Sequence, residues 1–238
     1  MRPLYGSFAW AYDLIVARPG GPAVEAVANA FRRRGAVRVV DAGCGMGHYS
    51  AALASAGLAM TGVDASTALV EQARARVPGV SFLVADLREW APVPPSDGVL
   101  CRGVLNDFVS DEDRAAALRG LRAMLRPGGV LICDVRPWDQ TLAHYGDEPV
   151  FERRASTERG ELRFVSRTTP VARTRTLRVE ERYSLSGIED EEFSFTMRCW
   201  TPGELADGLR DAGFASIELP APGLEPARPD RLIALATA

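Results

Sequence analysis

The stretch that decides the fold is VRVVDAGCGMG, which runs from Val37 to Gly47. Its residues through Ala42 predict a buried strand, and the segment from Gly47 to Ala56 predicts a helix directly after the turn. Glycines at positions 43, 45 and 47 allow the backbone to turn tightly and to approach a ligand closely. The start of the helix also offers free N–H groups to that ligand. The stretch therefore predicts a nucleotide-like ligand, the alternative being a tight turn that binds nothing.

Two common glycine loops do not fit this stretch. Gly47 is followed by His48 and Tyr49 rather than by Lys and Ser or Thr, so the loop is not a P-loop. The third glycine also comes one residue too early for the dinucleotide pattern G-x-G-x-x-G. His48, which follows the loop directly, is expected to pack beside the ligand.

Acidic residues end the next two predicted strands. Asp64 ends the strand Leu58–Asp64, where a carboxylate can bind both hydroxyls of a ribose. Asp86 ends the strand Val80–Asp86, where a carboxylate can accept a hydrogen bond from an adenine amino group. Taken singly, each Asp could instead be a helix N-cap. Because the carboxyl ends of successive parallel strands meet at one edge of a sheet, the three features together favour a nucleotide site.

Short apolar runs alternate with helical segments through the first 145 residues. This alternation predicts βαβ units and a parallel sheet with helices on both faces. The opening segment Tyr5–Ala17 is expected to be a short aromatic-rich helix, and residues 23–34 a second helix. Ser66 and Ser110 are expected to cap the helices that follow them. Pro-Gly-Gly at 127–129 is expected to stop the helix after Ser110, just before the fifth strand.

The pattern changes between Val150 and Trp200, where polar and apolar residues alternate. This alternation predicts three or four antiparallel strands, many of them with one polar face. A helix opened by Thr-Pro-Gly-Glu at 201–204 and two closing strands, 214–219 and 231–237, follow. We therefore predict an α/β fold with a doubly wound, mostly parallel seven-stranded sheet and an antiparallel β insertion before the last helix.

Composition and charge are those of an ordinary globular protein. The 238 residues, 47% hydrophobic and 25% charged, suit one domain with a sizeable insertion. A formal net charge of −3 argues against nucleic acid as a partner. No signal peptide or membrane-spanning run is found, so a cytoplasmic protein with no membrane partner is expected. No metal is expected, and four cysteines are predicted to be reduced and structural: Cys44, Cys101, Cys133 and Cys199.

Taken in order, these motifs resemble the class I S-adenosylmethionine-dependent methyltransferases. The resemblance is strong over residues 37–135 and moderate over 201–238. It is carried by Asp41–Gly47 (the D/E-x-G-x-G-x-G loop), Asp64, Asp86-Leu87, Leu125–Gly129 (L-x-P-G-G) and Asp211–Phe214 (the "aGF" turn). These matches are specific for the fold and the cofactor, and they say little about the acceptor.

The resemblance implies S-adenosylmethionine as the cofactor and S-adenosylhomocysteine as the product. The glycine loop would hold the methionine portion, Asp64 the ribose, and Asp86 with Leu87 the adenine. The expected cofactor-binding residues are Tyr12, Asp41, Gly43, Gly45, Gly47, Asp64, Ala65, Asp86, Leu87 and Arg102.

Three regions are expected to supply the acceptor site. Methyl transfer depends mostly on positioning, and a general base is needed only for an acceptor that must lose a proton. The first region is a helical lid over residues 1–34, in which Tyr5, Phe8 and Tyr12 share one face. Similar small-molecule methyltransferases fold such a segment over the cofactor. Tyr5 and Trp10 are predicted acceptor contacts, the alternative being an ordinary aromatic core stripe.

The second region follows the fourth predicted strand, where polar residues interrupt an apolar run. Arg102 is predicted to take part in catalysis as well as in cofactor binding, and Asn106 and Asp107 are predicted to contact the acceptor. The alternative for these residues is helix capping with a local salt bridge.

The third region is the insertion, residues 138–200, which is expected to cover the acceptor site, while 1–137 and 201–238 form the cofactor-binding domain. His144 is the predicted general base because its ordinary pKa suits proton transfer near neutral pH, the alternative being a surface histidine. The remaining expected acceptor contacts are Arg136, Trp138, Tyr145, Arg198 and Trp200. Arginines along the strands could bind an anionic acceptor, although a solvated face balanced by Glu is favoured.

The predicted function is methyl transfer to an oxygen or nitrogen of a small-molecule acceptor, by a monomer or homodimer. An RNA or protein methyltransferase is disfavoured because no basic module is present. RGVLND also stands where an N/D-P-P-Y/F motif would follow the fourth strand. A non-catalytic S-adenosylmethionine-binding module, with the insertion as an interface, is the remaining alternative.

Overall fold

The computed structural model describes residues 2–16, 20–89, 94–147, 149–186, 190–226 and 228–238. Two 3₁₀ turns, Pro3–Tyr5 and Ala9–Ala11, come first. The helices are α1 (Tyr12–Ile15), α2 (Gly21–Arg32), α3 (His48–Ser55), α4 (Thr67–Arg76), α5 (Asp111–Ala123), α6 (Trp138–Asp147) and α7 (Pro202–Asp211). The strands are β1 (Arg38–Ala42), β2 (Ala59–Asp64), β3 (Ser81–Val84), β4 (Ser96–Cys101), β5 (Leu125–Val135), β6 (Val150–Thr157), β7 (Gly160–Val171), β8 (Thr176–Leu185), β9 (Glu191–Arg198), β10 (Ser216–Glu218) and β11 (Leu232–Thr237).

Seven strands form one sheet in the order β10-β11-β5-β4-β1-β2-β3. Strands β1 to β5 pair in parallel, while β11 is antiparallel to both β5 and β10. The predicted mostly parallel, seven-stranded sheet is therefore confirmed. The chain order reverses at β1, because β2 and β3 lie on one side of it and β4 and β5 on the other. Open α/β sheets bind ligands at the carboxyl ends of the strands beside such a reversal.

Helices cover both faces of this sheet. On one face, Leu118 and Leu121 of α5 and Leu205 of α7 are fully buried against the strands. On the other face, Phe31 of α2 and Leu53 of α3 are buried in a second apolar cluster. Since both faces of a parallel sheet must be shielded from water, this packing completes the predicted doubly wound arrangement.

Local signals place the helix starts correctly. Ser66 and Ser110 each accept a backbone N–H from the first turn of the helix that follows. Thr201 and Glu204 form a reciprocal capping box at the start of α7. These contacts lie within four residues of each helix start, so the sequence alone carries them.

The predicted end of α5 is wrong. The helix stops at Ala123, and β5 already begins at Leu125, so that 127–129 lie within the strand. Pro127 in a continuing helix would clash with the carbonyl group of Ala123, and the residue before a proline avoids the helical region. The chain therefore leaves the helix before the Pro-Gly-Gly signal.

The opening segment is not the continuous helix predicted for Tyr5–Ala17. It consists of the two 3₁₀ turns and the single turn α1, with Gly6 in a non-helical conformation between the turns. Phe8 packs on Tyr183 of the insertion, whereas Tyr12 lies over the glycine loop. Because Phe8 and Tyr12 pack against different partners, the aromatic residues do not share one helical face. Ala17 lies outside the described residues.

Helix α6 opens the insertion, ahead of residues 150–200, for which the sequence pattern predicted strands. Trp138 and Tyr145 of this helix pack against Leu177, Val179 and their neighbours on the sheet that follows. Trp138 and Tyr145 thus lie on the same face of α6, as a helical spacing allows.

The insertion proper is a four-stranded antiparallel sheet in the order β6-β7-β8-β9, as predicted. Leu162, Phe164 and Tyr183 are buried on its inner face. The strand arginines lie largely on the exposed side, where Glu152, for example, pairs with both Arg154 and Arg163. The interpretation of that side as a solvated face balanced by glutamate is therefore supported.

All four cysteines are free and buried, in keeping with the predicted structural thiols. Among the helices within the described ranges, none has the length and apolar character that a membrane crossing requires.

Candidate active site

The glycine loop requires its glycines for steric reasons. Gly43, Gly45 and Gly47 have φ values of +79°, +54° and +78°, in the left-handed region that favours glycine. A Cβ on Gly43 would lie 2.2 Å from Cγ2 of Val104, and one on Gly47 would lie 2.8 Å from Cζ of Phe82. At Gly45 a Cβ would meet only the Tyr12 hydroxyl, at 3.6 Å. Gly45 is therefore the glycine of the loop whose backbone borders open space, and this space beside the loop is called the cleft below.

Asp64 holds the loop at the carboxyl end of β2. Its carboxylate accepts hydrogen bonds from the backbone N–H groups of Gly45 and Ser66, each at 2.8 Å. Burial raises the pKa of Asp64, and the two N–H donors oppose that rise. Two amides thus fix the carboxylate while lone pairs are left for further donors, as a ribose diol would require.

Asp41 lies beneath the loop and does not face the cleft. Its side chain is 3% exposed and accepts a hydrogen bond of 2.6 Å from Ser50 Oγ of α3. Burial raises the pKa of Asp41 to about 6, although the bond from Ser50 lowers it. The carboxylate therefore ties β1 to α3 and supports the loop from beneath, and the assignment of Asp41 to cofactor binding stays a prediction.

The raised pKa of Asp41 gives a stability prediction. As pH rises from about 4 to 6, the unfolded state ionises Asp41 first, so this group makes folding less favourable over that window. Asn cannot ionise, and its carbonyl can still accept from Ser50. Relative to wild type, Asp41→Asn should therefore gain about 2 kcal/mol between pH 4.5 and pH 8. Urea unfolding measures this gain, and Asp207→Asn on the surface of α7 is the control. An equal difference at both pH values would contradict the assignment.

The predicted adenine pair lies at the end of β3. Asp86 accepts from the Arg88 guanidinium at 2.6 and 3.0 Å, and Arg88 lowers its pKa. Leu87 is buried beneath α5. Ala65, the neighbour of Asp64, is exposed. The carboxylate of Asp86 is therefore ionised. A ligand that binds Asp86 would form its hydrogen bonds beside those from Arg88.

The opening segment crosses the glycine loop and is attached there by polar contacts. Besides the Tyr12 hydroxyl near Gly45, the Asp13 carboxylate contacts His48 Nε2 and Arg76 Nη1, each at 2.5 Å. Ser66 Oγ donates to the backbone carbonyl of Tyr5 at 2.6 Å. His48 thus lies beside the loop, as predicted, but its ring is bonded to Asp13.

The other end of this segment is attached to the insertion. Arg2 Nε donates to the buried Glu181 at 2.9 Å, and the Tyr183 hydroxyl donates to the same carboxylate at 2.6 Å. Trp10 lies under the guanidinium of Arg159, 4.8 Å from it. The segment therefore bridges the insertion and the glycine loop across the carboxyl edge of the sheet.

Arg102, at the end of β4, is held by a buried carboxylate. Its Nε donates to Asp134 Oδ2 at 2.7 Å, while Gly103 N–H donates to Oδ1 of the same group. The guanidinium also lies over the ring of Tyr49, 5.4 Å away. An arginine bound in this way stays protonated and has no acceptor atom, so it can bind an anionic group but cannot act as a base.

Four of the predicted acceptor contacts are already bonded, and all of them except the partly exposed Arg198 are buried. The Asn106 amide, 2% exposed, donates to the Arg198 carbonyl and accepts from the Arg136 N–H, each at 2.8 Å. Arg136 pairs with Asp230, and Arg198 pairs with Asp111. The Trp200 indole donates to the backbone carbonyl of Leu105, and its ring lies beneath the guanidinium of Arg114. Asn106, Arg198 and Trp200 thus join the insertion to the α/β domain, while Arg136 pairs within that domain, and acceptor contact by these four residues stays a prediction.

His144 and its neighbours lie on α6. His144 Nε2 is 3.1 Å from Arg228 Nη2, and its ring packs edge-on against Tyr145. Tyr145 and Trp138 are partly buried against the insertion sheet. This contact turns the Nε2 atom of His144 toward Arg228.

Asp107 differs from the other polar residues of the second region. The residue is exposed, yet desolvation raises the pKa of its carboxyl to about 6. The charges of Arg2, Arg231 and Arg136 lower that pKa, whereas the charge of Asp64 raises it.

Some polar groups of this site were missed by sequence reasoning. Asp134 lies within the apolar run of β5, and the single charge in that run was a usable signal. Glu181 follows the alternating pattern of β8 but occupies an inward position. Asp13 and Ser66 act through partners far along the chain, and no local pattern marks such contacts.

Comparison with known proteins agrees with this geometry. Residues 39–129 match the model of a family described as a methyltransferase domain. Trans-aconitate 2-methyltransferase from Azoarcus sp. is 40% identical over 98 residues, 40% of this chain and 38% of that protein. Glycine N-methyltransferase from Rattus norvegicus is 33% identical over 131 residues, 48% of this chain and 45% of that protein. The chain thus spans less than half the length of these relatives.

Solved structures match over nearly the whole chain. An S-adenosylmethionine-dependent methyltransferase from Clostridium acetobutylicum has a TM-score of 0.77 at 13% identity, with 98% of each chain covered. An amino pentose methyltransferase of calicheamicin biosynthesis from Micromonospora echinaspora has a TM-score of 0.74 at 23% identity, with 98% and 97% covered. At these identities the likeness shows a shared fold.

Residues 39–129, which include the glycine loop and strands β2 to β4, thus match a methyltransferase domain, and the whole chain shares the fold of solved S-adenosylmethionine-dependent methyltransferases.

Proposed function

We propose that this protein binds S-adenosylmethionine over its glycine loop and transfers the methyl group to an oxygen or nitrogen of a small-molecule acceptor. The observation that carries the proposal is the Asp64 carboxylate, fixed by two backbone amides beside the open face of Gly45. When bound, S-adenosylmethionine supplies an electrophilic methyl group on a sulfonium.

The residues present fit this cofactor. The side chains of Val104 and Phe82 fill the space beside Gly43 and Gly47, whereas Gly45 borders a space that only the Tyr12 side chain approaches. We assign Asp64 and Ala65 to the ribose, with Asp86 and Leu87 at the adenine. The Arg102 guanidinium, 15% exposed beside Tyr49, is suited to the carboxylate of the methionine portion.

The chain contributes mainly positioning and the exclusion of water. Arg2 and Asp13 attach the opening segment at its two ends, so that Tyr5 and Tyr12 lie across the cleft. Holding two reactants in line in this way accounts for much of the acceleration in a bimolecular displacement. We propose that residues 138–200 close the acceptor side, where Trp138 and Tyr145 line the inner face with apolar surface.

A small acceptor is supported by the opening segment, which crosses the glycine loop and reaches the insertion, and by the similar proteins. Relatives and structural neighbours are named for trans-aconitate, glycine and an amino pentose, all of them small molecules. An RNA or protein acceptor would need an opening that the attached segment and the insertion occupy.

The proposal is tested by binding and by turnover. Calorimetry of the full chain should show 1:1 binding of S-adenosylhomocysteine at micromolar concentration. Incubation with isotopically labelled S-adenosylmethionine should then transfer label to at least one member of a panel of amines, polyols and carboxylates. Absence of binding at millimolar ligand would overturn the cofactor assignment. Binding with transfer only to RNA or protein, or with no transfer at all, would support the respective alternative.

A further inference from the structure

We infer that the acceptor carries a carboxylate group, and that Arg231 at the carboxyl edge of the sheet binds this group and so positions the acceptor. This inference rests on the proposed function and narrows its acceptor class to small molecules that bear a carboxylate. The atom that receives the methyl group stays the oxygen or nitrogen of that proposal.

A group of four arginines lies at this edge around two buried carboxylates. We call it the arginine cluster, and its members are Arg102, Arg136, Arg228 and Arg231. Arg102 and Arg231 share Asp134, at 2.7 and 3.5 Å, while the other two members share Asp230. Because guanidinium groups stay protonated in proteins, each carboxylate neutralises only one of its two partners. The arginine cluster therefore has an excess of positive charge.

This excess persists when the exposed carboxylate of Asp107 is counted. Asp107 lies in the segment after β4, and the charges of Arg231 and Arg136 lower its pKa. With Asp107 ionised, the guanidiniums outnumber the carboxylates by four to three. When bound, S-adenosylmethionine adds a positive sulfonium, and its amino acid portion carries one charge of each sign. The cofactor therefore leaves the positive excess in place.

Arg231 has unused hydrogen-bond donors. Its side chain is 16% exposed, and in the part of the chain that the structure describes its guanidinium forms the 3.5 Å ion pair with Asp134 but no hydrogen bond. The Asp134 oxygens accept shorter bonds, of 2.7 Å each, from Arg102 Nε and the Gly103 N–H. A guanidinium has five N–H donors, and it is costly to leave them unsatisfied in a largely buried position. Arg231 is thus suited to a ligand that offers two oxygen acceptors.

Arg136 lies opposite Arg231 at the end of two paired strands. The register joins Val135 of β5 to Leu232 of β11, so that the next residue along each segment is 136 on one side and 231 on the other. Like charges at facing positions are unfavourable. Burial and the charge of Arg231 both lower the pKa of Arg136. The shared carboxylates offset part of this repulsion, and a carboxylate bound at Arg231 would offset the remainder.

The arginine cluster adjoins the proposed cofactor site. Arg102, which shares Asp134 with Arg231, lies over the Tyr49 ring of α3, 5.4 Å from its centre. Helix α3 begins directly after the glycine loop. The carboxyl end of β5 and the start of β11 meet at this same edge, where open α/β sheets bind ligands. An acceptor held by Arg231 would therefore lie on the β5 side of the cofactor.

The charges and the shape of the site favour a carboxylate over other acceptor groups. The planar fork of a guanidinium matches the two oxygens of a carboxylate, and such charge-assisted bonds are about twice as strong as neutral ones. An ammonium group would be repelled by the excess of guanidiniums. A hydroxyl could accept a hydrogen bond but would leave the excess charge in place. A phosphate dianion carries more negative charge than this excess.

The test measures binding to protein loaded with S-adenosylhomocysteine, so that it does not depend on turnover. The probes are succinate, tricarballylate and alanine, each beside the amide that replaces its carboxylates, and inorganic phosphate. In wild type, at least one carboxylate should bind ~10-fold more tightly than its amide. Arg231→Gln keeps N–H donors without the charge and should abolish that preference, whereas Arg231→Lys should keep part of it. Arg210→Gln, on the surface of α7, should change nothing.

Steady-state kinetics gives an independent readout for any acceptor that the turnover panel identifies. Arg231→Gln should raise KM ~10-fold and leave kcat within about twofold, because a contact made equally in the ground state and the transition state affects KM alone. A loss confined to kcat would contradict the positioning role.

Three binding results would overturn the inference: equal affinity for carboxylates and amides in wild type, a preference that survives in Arg231→Gln, or tighter binding of phosphate than of any carboxylate. Failure of wild type to bind S-adenosylhomocysteine would refute the proposed function instead. Unchanged S-adenosylhomocysteine affinity in the Arg231 variants keeps these two outcomes distinguishable.

Discussion

Asp64→Ala is expected to weaken S-adenosylhomocysteine binding at least ~100-fold, or about 2.7 kcal/mol. The substitution removes a carboxylate suited to two ribose hydroxyls, and hydrogen bonds to a charged group contribute about 1.5 to 3 kcal/mol each. It also leaves the Gly45 and Ser66 N–H groups without their acceptor, so that the loop loses the contact that fixes it to β2. Calorimetric titration with S-adenosylhomocysteine measures the effect directly.

Two further variants make this result specific. Asp64→Asn keeps the shape and one acceptor oxygen, so its loss of affinity should be smaller than that of Asp64→Ala. Glu71→Gln neutralises an exposed carboxylate on α4, close by in the chain, and should leave affinity within twofold. If Asp64→Ala, folded as judged by circular dichroism, bound like wild type, the assigned ribose site would be wrong.

Gly120→Ala is expected to destabilise the fold by at least about 2 kcal/mol, although alanine in a helix interior is ordinarily the more stable residue by about 0.5 to 1 kcal/mol. Gly120 lies within α5, and a Cβ on it would lie 1.9 Å from the backbone oxygen of Leu87. A backbone atom cannot rotate away as a side chain can. Either α5 or the segment of the proposed adenine contact must shift.

Thermal and urea unfolding measure this loss, which corresponds to a fall in Tm of about 4 to 8 °C for a chain of this size. Gly203→Ala is the matched control, because Gly203 is also helical and a Cβ on it would meet only Thr201 Oγ1, at 4.0 Å. The control should be neutral or slightly stabilising. Equal stability of the two variants would show that α5 packs less closely on Leu87 than described.

The predictions from sequence succeeded where the deciding interaction is local. The glycine loop, the caps at Ser66 and Ser110, and the alternating strands of the insertion all depend on residues close together in the chain. The order of strand and helix then fixed the parallel sheet, because few topologies satisfy right-handed, short connections. Asp64 lies at the predicted edge of the sheet, because the carboxyl ends of all parallel strands lie at the same edge.

The same reasoning failed for side chains whose partners lie far along the chain. Asn106 and Trp200 are residue types that often line binding sites. In the structure, however, Asn106 donates to the carbonyl of Arg198 and Trp200 donates to the carbonyl of Leu105, so both bonds cross the junction between the insertion and the domain. Conversely, Asp107 looked like Asn106 in sequence, but the structure leaves Asp107 exposed and buries Asn106.

By itself, then, the sequence determined a doubly wound domain with a glycine loop, a carboxylate at the end of β2 and a β insertion before the last helix. Periodicity, capping and glycine conformation depend on residues close together in the chain, so the sequence alone predicts them. The tertiary structure alone decided that the opening segment is attached at Glu181 and Asp13, and which charges in the cleft are already paired. Charge pairing is set by distances between residues remote in sequence, and it determines the cation or anion that a site can accept.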